Sequence, residues 1–179
     1  YRAIYDNDIL DRIWVGNEFL NYSWVKTITL KAPAVSRNYM GILTNVTLAI
    51  AYPGNGRVFF SALPFTELDT QAAARTAAWV ASSLLGIRFN TYDYYVVMEA
   101  LAPIVGGPSA GALMTIGFMA LLSNTTVKPC VTMTGMINPD ATIGPVGGLK
   151  EKLEAAAREG YHVFLIPRGQ REYRYPVVY

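Results

Sequence analysis

Cysteine and histidine are almost missing from this sequence. A single cysteine, Cys130, cannot close an internal disulfide, and neither a disulfide scaffold nor a thiolate zinc site is available. A single histidine, His162, excludes every multi-histidine metal site. Charge is sparse as well: 16% of the 179 residues, 15 basic against 13 acidic, for a net charge of +2. No basic block occurs, so nucleic acid is not an expected partner. The longest apolar run, Ala110 to Leu122, falls short of the roughly 20 residues that cross a bilayer and reads as a buried helix. Neither G-x-G-x-x-G nor G-x-x-x-x-G-K-S/T occurs, so no nucleotide-driven motor is read in this chain and no cofactor is expected.

What is present is apolar surface. Hydrophobic types make up 52% and aromatics 12%, enough to offset chain entropy over one domain, or one domain with an added segment. The chain begins at Tyr1 rather than methionine, as expected of a processed form or a piece cut from something longer, and no signal peptide is read at its start. Asn21, Asn45 and Asn124 each head an Asn-x-Ser/Thr triplet. Together with the 12 tyrosines and the low charge they favour a secreted or surface-facing protein, with a cytoplasmic one as the alternative.

Residues 1–38 read as an N-terminal arm or edge extension, with one strand over residues 24–30. The main domain is expected over residues 39–179. Gly41 to Tyr52 alternates well enough for a strand, Pro53-Gly54-Asn55-Gly56 is a turn, and Arg57 to Ala62 returns, so the two are expected to form a hairpin. An alanine-rich helix capped by Asp69 or Thr70 should run to about Leu85 and stop at Gly86. A short buried strand is expected over residues 94–98, and a glycine-bearing loop over residues 103–108. A helix follows from Pro108 to about Leu122, then a strand from Cys130 to Ile137. Leu149 to Arg158 reads as a helix ended by Gly160, and Val163 to Ile166 as a last strand. This order implies an α+β (mixed α/β) fold with a mixed sheet.

Two segments have the makings of chemistry. In Gly107-Pro108-Ser109-Ala110-Gly111 a serine stands uncrowded at a helix start, where free N–H groups and the helix dipole would stabilise a tetrahedral oxyanion. The alternative is a plain helix cap beside a tight turn. In Gly147-Gly148-Leu149-Lys150-Glu151-Lys152, helical spacing makes an apolar stripe of Leu149, Leu153, Ala156 and Ala157, and Lys152 lies on it. Lys150, Glu151, Glu154 and Arg158 lie away from it. A lysine held on a buried face has a lowered pKa, and its neutral amine can deprotonate a serine. The alternative is a lysine that snorkels to water.

These segments resemble the proteolytic domain of the Lon proteases, a Ser-Lys peptidase family. Residues 107–111 repeat the end of its serine motif letter for letter. Residues 147–152 repeat its lysine motif: two glycines, a hydrophobic residue, two variable positions and the catalytic lysine. Met133-Thr134-Gly135 is similar to the family strand whose threonine holds that lysine, and Asn138 to Val146 and Phe164 to Pro167 resemble the flanking turn and strand. The likeness covers roughly residues 40–170. It extends to archaeal stand-alone relatives that lack the ATPase domain and are secreted or membrane-anchored, through the Pro-Gly-Asn-Gly turn, residues 69–72 and residues 104–107.

The resemblance implies a serine endopeptidase with Ser109 as nucleophile, Lys152 as base and Thr134 holding the amine. Backbone around Gly107 and Ala110 would support the oxyanion. It further implies a polypeptide substrate, a homo-oligomer, and any membrane tether outside this chain. The sequence departs from the family at Gly106, where bacterial members often carry aspartate. It also departs at the C-terminal end, where family domains continue, so truncation and a shortened fold are the two readings. Two other functions stay open: a non-catalytic binding or assembly module on the same fold, and an esterase using Ser109, Asp140 and His162.

Overall fold

The computed structural model describes residues 12–15, 18–63, 68–100 and 107–172, with side chains from residue 21 onward. Its centre is a four-stranded sheet of β3 (Trp24–Val35), β4 (Gly41–Tyr52), β5 (Val58–Leu63) and β6 (Asp93–Glu99), in the order β3-β4-β6-β5. A short hairpin of β1 (Arg12–Val15) and β2 (Glu18–Asn21) precedes it. The sheet is mixed: β3–β4 and β4–β6 are antiparallel, whereas β5–β6 is parallel.

One face of this sheet makes the core. Val46, Leu48 and Ile50 on β4 stand opposite Met98, Val96 and Tyr94 on β6, and all six are buried. Two helices cover them. Helix α1 (Leu68–Leu84) lays down Ala73, Ala74, Ala77, Ala78 and Ala81, a row of small side chains that lets its backbone approach closely. It ends at Gly86, whose φ of +66° suits glycine, with Ile87 N–H bonded back to the Ser82 carbonyl. Helix α2 (Gly111–Leu122) is apolar nearly all round and buried on most sides, as its composition requires. A side chain at Gly117 would run into Leu48 and Leu30, so this helix lies directly on β3 and β4. Phe118 inserts edge-on against Tyr94; full burial of such a side chain stabilises the fold by about 1.5–3 kcal/mol. The arrangement is α+β, as expected.

Several details differ from the sequence reading. The strand expected at residues 24–30 continues to Val35 and pairs with the whole length of β4. The central sheet therefore begins ahead of Tyr39, within the segment read as an arm or edge extension, and β3 is its edge strand. The expected hairpin of residues 41–52 with 57–62 does not form, because β6 lies between those strands. The Pro53–Gly56 turn is tied to the chain entering β6 instead: Gly54 N–H donates to the Thr91 carbonyl, Gly56 N–H to Tyr92, and Asn55 N–H to the Asp93 carboxylate. The strand expected from Cys130 to Ile137 is two strands, β7 (Val131–Met133) and β8 (Met136–Ile137), broken at Thr134-Gly135. Cys130 itself is exposed with φ +58°, outside the strand and not in the core. Strand β7 pairs in parallel with β10 (Val163–Leu165), and β8 pairs with β9 (Ile143–Gly144). Helix α3 spans Leu149–Arg158, the expected bounds. No described helix is long and apolar enough to cross a membrane.

Candidate active site

Gly107 has φ +146° and ψ 164°, a conformation open essentially to glycine, and it leads into a helical turn, Pro108–Ala110, that runs on into α2. Pro108 occupies the first helical position, where its missing N–H costs nothing. Gly111 is required by packing. A Cβ there would meet Ile137 Cγ2 at 2.7 Å and Ile137 N at 3.0 Å, so β8 passes directly under the serine turn. The break between β7 and β8 meets the same turn. Gly135 N–H donates to the Ser109 carbonyl at 2.8 Å, and Ala112 N–H donates to the Gly135 carbonyl at 3.0 Å. Thr134, whose side chain is 1% exposed, also donates its hydroxyl proton to the Ser109 carbonyl, at 3.2 Å.

Lys152 comes to the same place from α3. Gly148, with φ +65°, begins this helix, and a side chain there would strike Val35. A side chain at Gly41 would strike the Glu151 carbonyl, so the first turn of α3 is pressed against the start of β4. The inward face of α3 is Lys152, Ala155 and Ala156. Leu153, placed on the buried stripe by spacing, is 51% exposed. Only 4% of Lys152 is exposed, and its Nζ donates to Thr134 Oγ1 at 3.4 Å. Burial disfavours the ammonium and lowers the Lys152 pKa to about 8, opposed in part by the negative charge of Glu151.

Ser109, Gly107, Lys152 and Glu151 line one cavity of about 490 Å³, walled by Ala34, Val35, Met136, Pro145 and Val146 and reached by Tyr39. No hydrogen bond among the described residues joins Ser109 Oγ directly to Lys152 Nζ; Thr134 connects the two segments. In unliganded enzymes such contacts are often long and tighten when substrate arrives.

Gly107 N–H is taken: it donates to Thr70 Oγ1 at 3.2 Å, and the Thr70 hydroxyl donates to the Gly107 carbonyl at 3.2 Å. Gly107 is thus a held residue, and its amide is not free for an oxyanion. Ala110 is buried at the start of α2. Asp140 and His162 do not line the cavity. The Asp140 carboxylate accepts from Thr142 N–H and Oγ1, which hold its pKa below the usual range, and His162 is exposed, its main chain bonded to Cys130. The esterase triad is not assembled. Gly106 and residues 103–105 lie outside the described residues. Asn21, Asn45 and Asn124 are exposed, and Asn124 Oδ1 accepts from Lys26. No group of three metal-ligating side chains occurs among the described residues.

Thr70 is the residue that sequence reasoning missed. It was a candidate helix cap; in the structure it is 2% exposed inside α1 and binds both polar groups of Gly107. Nothing in the local sequence signals this, because the partner is 37 residues away.

The class defined by this fold and cavity is an α+β domain that brings a helix-start serine and a buried lysine to one opening. Residues 72–173 match the model of the family described as Lon protease (S16) C-terminal proteolytic domain. The chain belongs to that family. It is 35% identical over 124 residues to a Lon protease of Phenylobacterium zucineum (strain HLK1), covering 66% of this chain and 16% of that protein. A Lon protease of Buchnera aphidicola subsp. Acyrthosiphon pisum (strain APS) is 36% identical over 130 residues, covering 70% and 16%. Lon protease 2 of Syntrophobacter fumaroxidans is 34% identical over 121 residues, covering 65% and 15%. The chain thus spans about one sixth of the length of these curated relatives.

Proposed function

We propose that this domain is a serine endopeptidase that hydrolyses peptides or unfolded polypeptides through Ser109 and Lys152, without nucleotide. The observation that carries this reading is the buried Lys152 amine, next to Thr134 and on the same cavity as Ser109. Thr134 spends its own proton on the Ser109 carbonyl, so toward Lys152 it can only accept. A neutral amine would donate one N–H to Thr134 and keep its lone pair for the serine hydroxyl. Ser109 Oγ then attacks the scissile carbonyl carbon, and its proton passes to Lys152 Nζ. Amides at the start of the serine turn, Ala110 first among them, stabilise the oxyanion. The ammonium returns the proton to the leaving amine, the C–N bond breaks, and an acyl-serine remains. Water, deprotonated by the same amine, releases the acid.

The test is cleavage of a fluorogenic unfolded protein without ATP by the wild type, S109A and K152A. Cleavage by the wild type alone supports the reading. Equal cleavage by either variant would sink it. Since Ser109 Oγ and Lys152 Nζ are not directly bonded, a non-catalytic binding module is the second reading. It predicts polypeptide binding with no cleavage by any form. Assembly as a homo-oligomer and an extracellular or outward-facing location complete the proposal. The exposure of all three sequon asparagines supports the location, and a mobility shift on glycosidase treatment of the native protein would test it.

A further inference from the structure

The cavity contains one charged side chain that the hydrolytic steps do not use. Glu151 sits in the first turn of α3, and its carboxylate has no hydrogen-bond or ion-pair partner among the described residues. Its position is set by tight packing, since Gly41 leaves no room for a side chain beside the Glu151 carbonyl. Tyr39 lines the same cavity. This residue adopts φ +59°, which a bulky side chain rarely does, and a built turn keeps it there. Tyr39 N–H donates to the Ser36 carbonyl at 2.9 Å, Met40 N–H to Ser36 Oγ at 3.2 Å, and Ser36 N–H to the Met40 carbonyl at 2.8 Å. Such a conformation is strained for a residue with a Cβ and persists where the surroundings impose it. Tyr39 is 82% exposed while lining the cavity.

Apart from Ser109 and Lys152, the remaining side chains of the wall are apolar, from Ala34 and Val35 to Met136, Pro145 and Val146. In the reacting form Lys152 is neutral, and Glu151 is then the one charged side chain lining the cavity among the described residues. An unpaired carboxylate and an exposed phenol ring beside an apolar wall attract the same kind of group: a cation on a long apolar stem. We propose that Glu151 and Tyr39 form a substrate subsite that selects an arginine or lysine side chain near the scissile bond. The proposal rests on the peptidase reading of this cavity and names its substrate class. Guanidinium fits best, because it stacks on an aromatic ring and pairs with a carboxylate at once.

The experiment uses quenched-fluorescent peptides of alanine with one variable residue, moved through each position flanking the bond. That residue is arginine, its uncharged isostere citrulline, norleucine or glutamate. The expected result is one position at which arginine exceeds citrulline in kcat/KM by roughly tenfold, with glutamate poorest. In E151Q the arginine-to-citrulline ratio should fall to about one, and in Y39A it should fall about threefold. Tm is recorded in parallel. If Glu151 served only as a helix-terminal charge, E151Q would lower Tm and leave the ratio intact, and the subsite would be refuted. Binding of labelled arginine and citrulline peptides to S109A separates this idea from the catalytic one. Cleavage without arginine preference overturns the subsite and leaves the peptidase reading standing. No cleavage, with arginine binding that is lost in the S109A/E151Q double variant, supports the subsite and removes the peptidase reading. Equal binding of the two peptides to S109A overturns the subsite whatever the cleavage.

Discussion

Lys152 Nζ lies 3.4 Å from Thr134 Oγ1, and the proton of that hydroxyl is directed at the Ser109 carbonyl oxygen 3.2 Å away. One threonine thereby orients the amine and anchors the serine turn. Replacing it with valine keeps the volume and removes both hydrogen bonds. We expect Thr134→Val to lower kcat about 10–100-fold, the equivalent of roughly 1.5–3 kcal/mol. Thr134→Ser should recover most of the loss. A steady-state comparison of the three forms checks this, and equal rates in all of them would remove Thr134 from the mechanism.

Burial holds the Lys152 pKa at about 8, below the ordinary lysine value of 10.5. The amine is active when neutral, so kcat/KM should rise as pH passes through about 8 and level off above it. A profile flat between pH 6 and 10 would exclude Lys152 as the base.

The same shift acts on stability with a definite sign. Between about pH 8 and 10.5 the unfolded chain binds more protons at this site than the folded one, so stability contributed here rises with pH across that window. Below pH 8 the folded state carries a buried ammonium at its full cost. Lys152→Met should therefore abolish hydrolysis while raising stability at pH 7 by about 1–3 kcal/mol. Urea unfolding at pH 7 measures this. A loss of stability in K152M would mean that the amine is better paired than its burial implies.

Thr70 holds Gly107 by two hydrogen bonds of 3.2 Å and has no hydrogen bond to Ser109 or Lys152 among the described residues. Thr70→Val should leave the Gly107 amide and carbonyl unpaired and let the serine turn drift. The expected loss is about tenfold in kcat with little change in KM, plus about 1–2 kcal/mol of stability. Rescue of kcat by Thr70→Ser distinguishes positioning from a general loss of packing.

Gly111 faces Ile137 with no space for a methyl group, its Cβ position being 2.7 Å from Ile137 Cγ2. Gly111→Ala should force β8 away from the serine turn, cost about 1–3 kcal/mol, and lower Tm by several degrees. In an Ile137→Ala background, which lacks the Cγ2 that the new methyl would meet, the cost of Gly111→Ala should shrink. Calorimetry of the single and double variants decides it.

Elements governed by nearby residues were legible in the sequence. Helix α3 keeps its expected bounds because Gly148 and Gly160 mark its ends and the residues between suit a helix. Helix α1 stops where Gly86 stops it. The α+β class followed from the order of such elements. Misreadings arose where distant chain decides. Residues 41–52 and 57–62 look like a hairpin because a turn separates them, yet β6 enters from residue 93 and takes the position between them. Leu153 fits an apolar stripe by spacing, but α3 turns Lys152, Ala155 and Ala156 inward instead, since the close approach at Gly41 sets its rotation.

By itself the sequence determined which chemistry-bearing residues exist and how their neighbours must bend: a serine between glycines at a helix start, and a lysine five residues into a glycine-led segment. Periodicity, glycine torsions and motif text are local properties, readable within a window of a dozen residues. Only the tertiary structure decided that Thr134 bridges the serine turn and the lysine, and that Thr70 holds Gly107. It alone also decided that Tyr39 and Glu151 line one cavity. These relations join segments far apart in the chain. Their existence depends on how helices and sheet pack, on a scale of ångströms that no local pattern records.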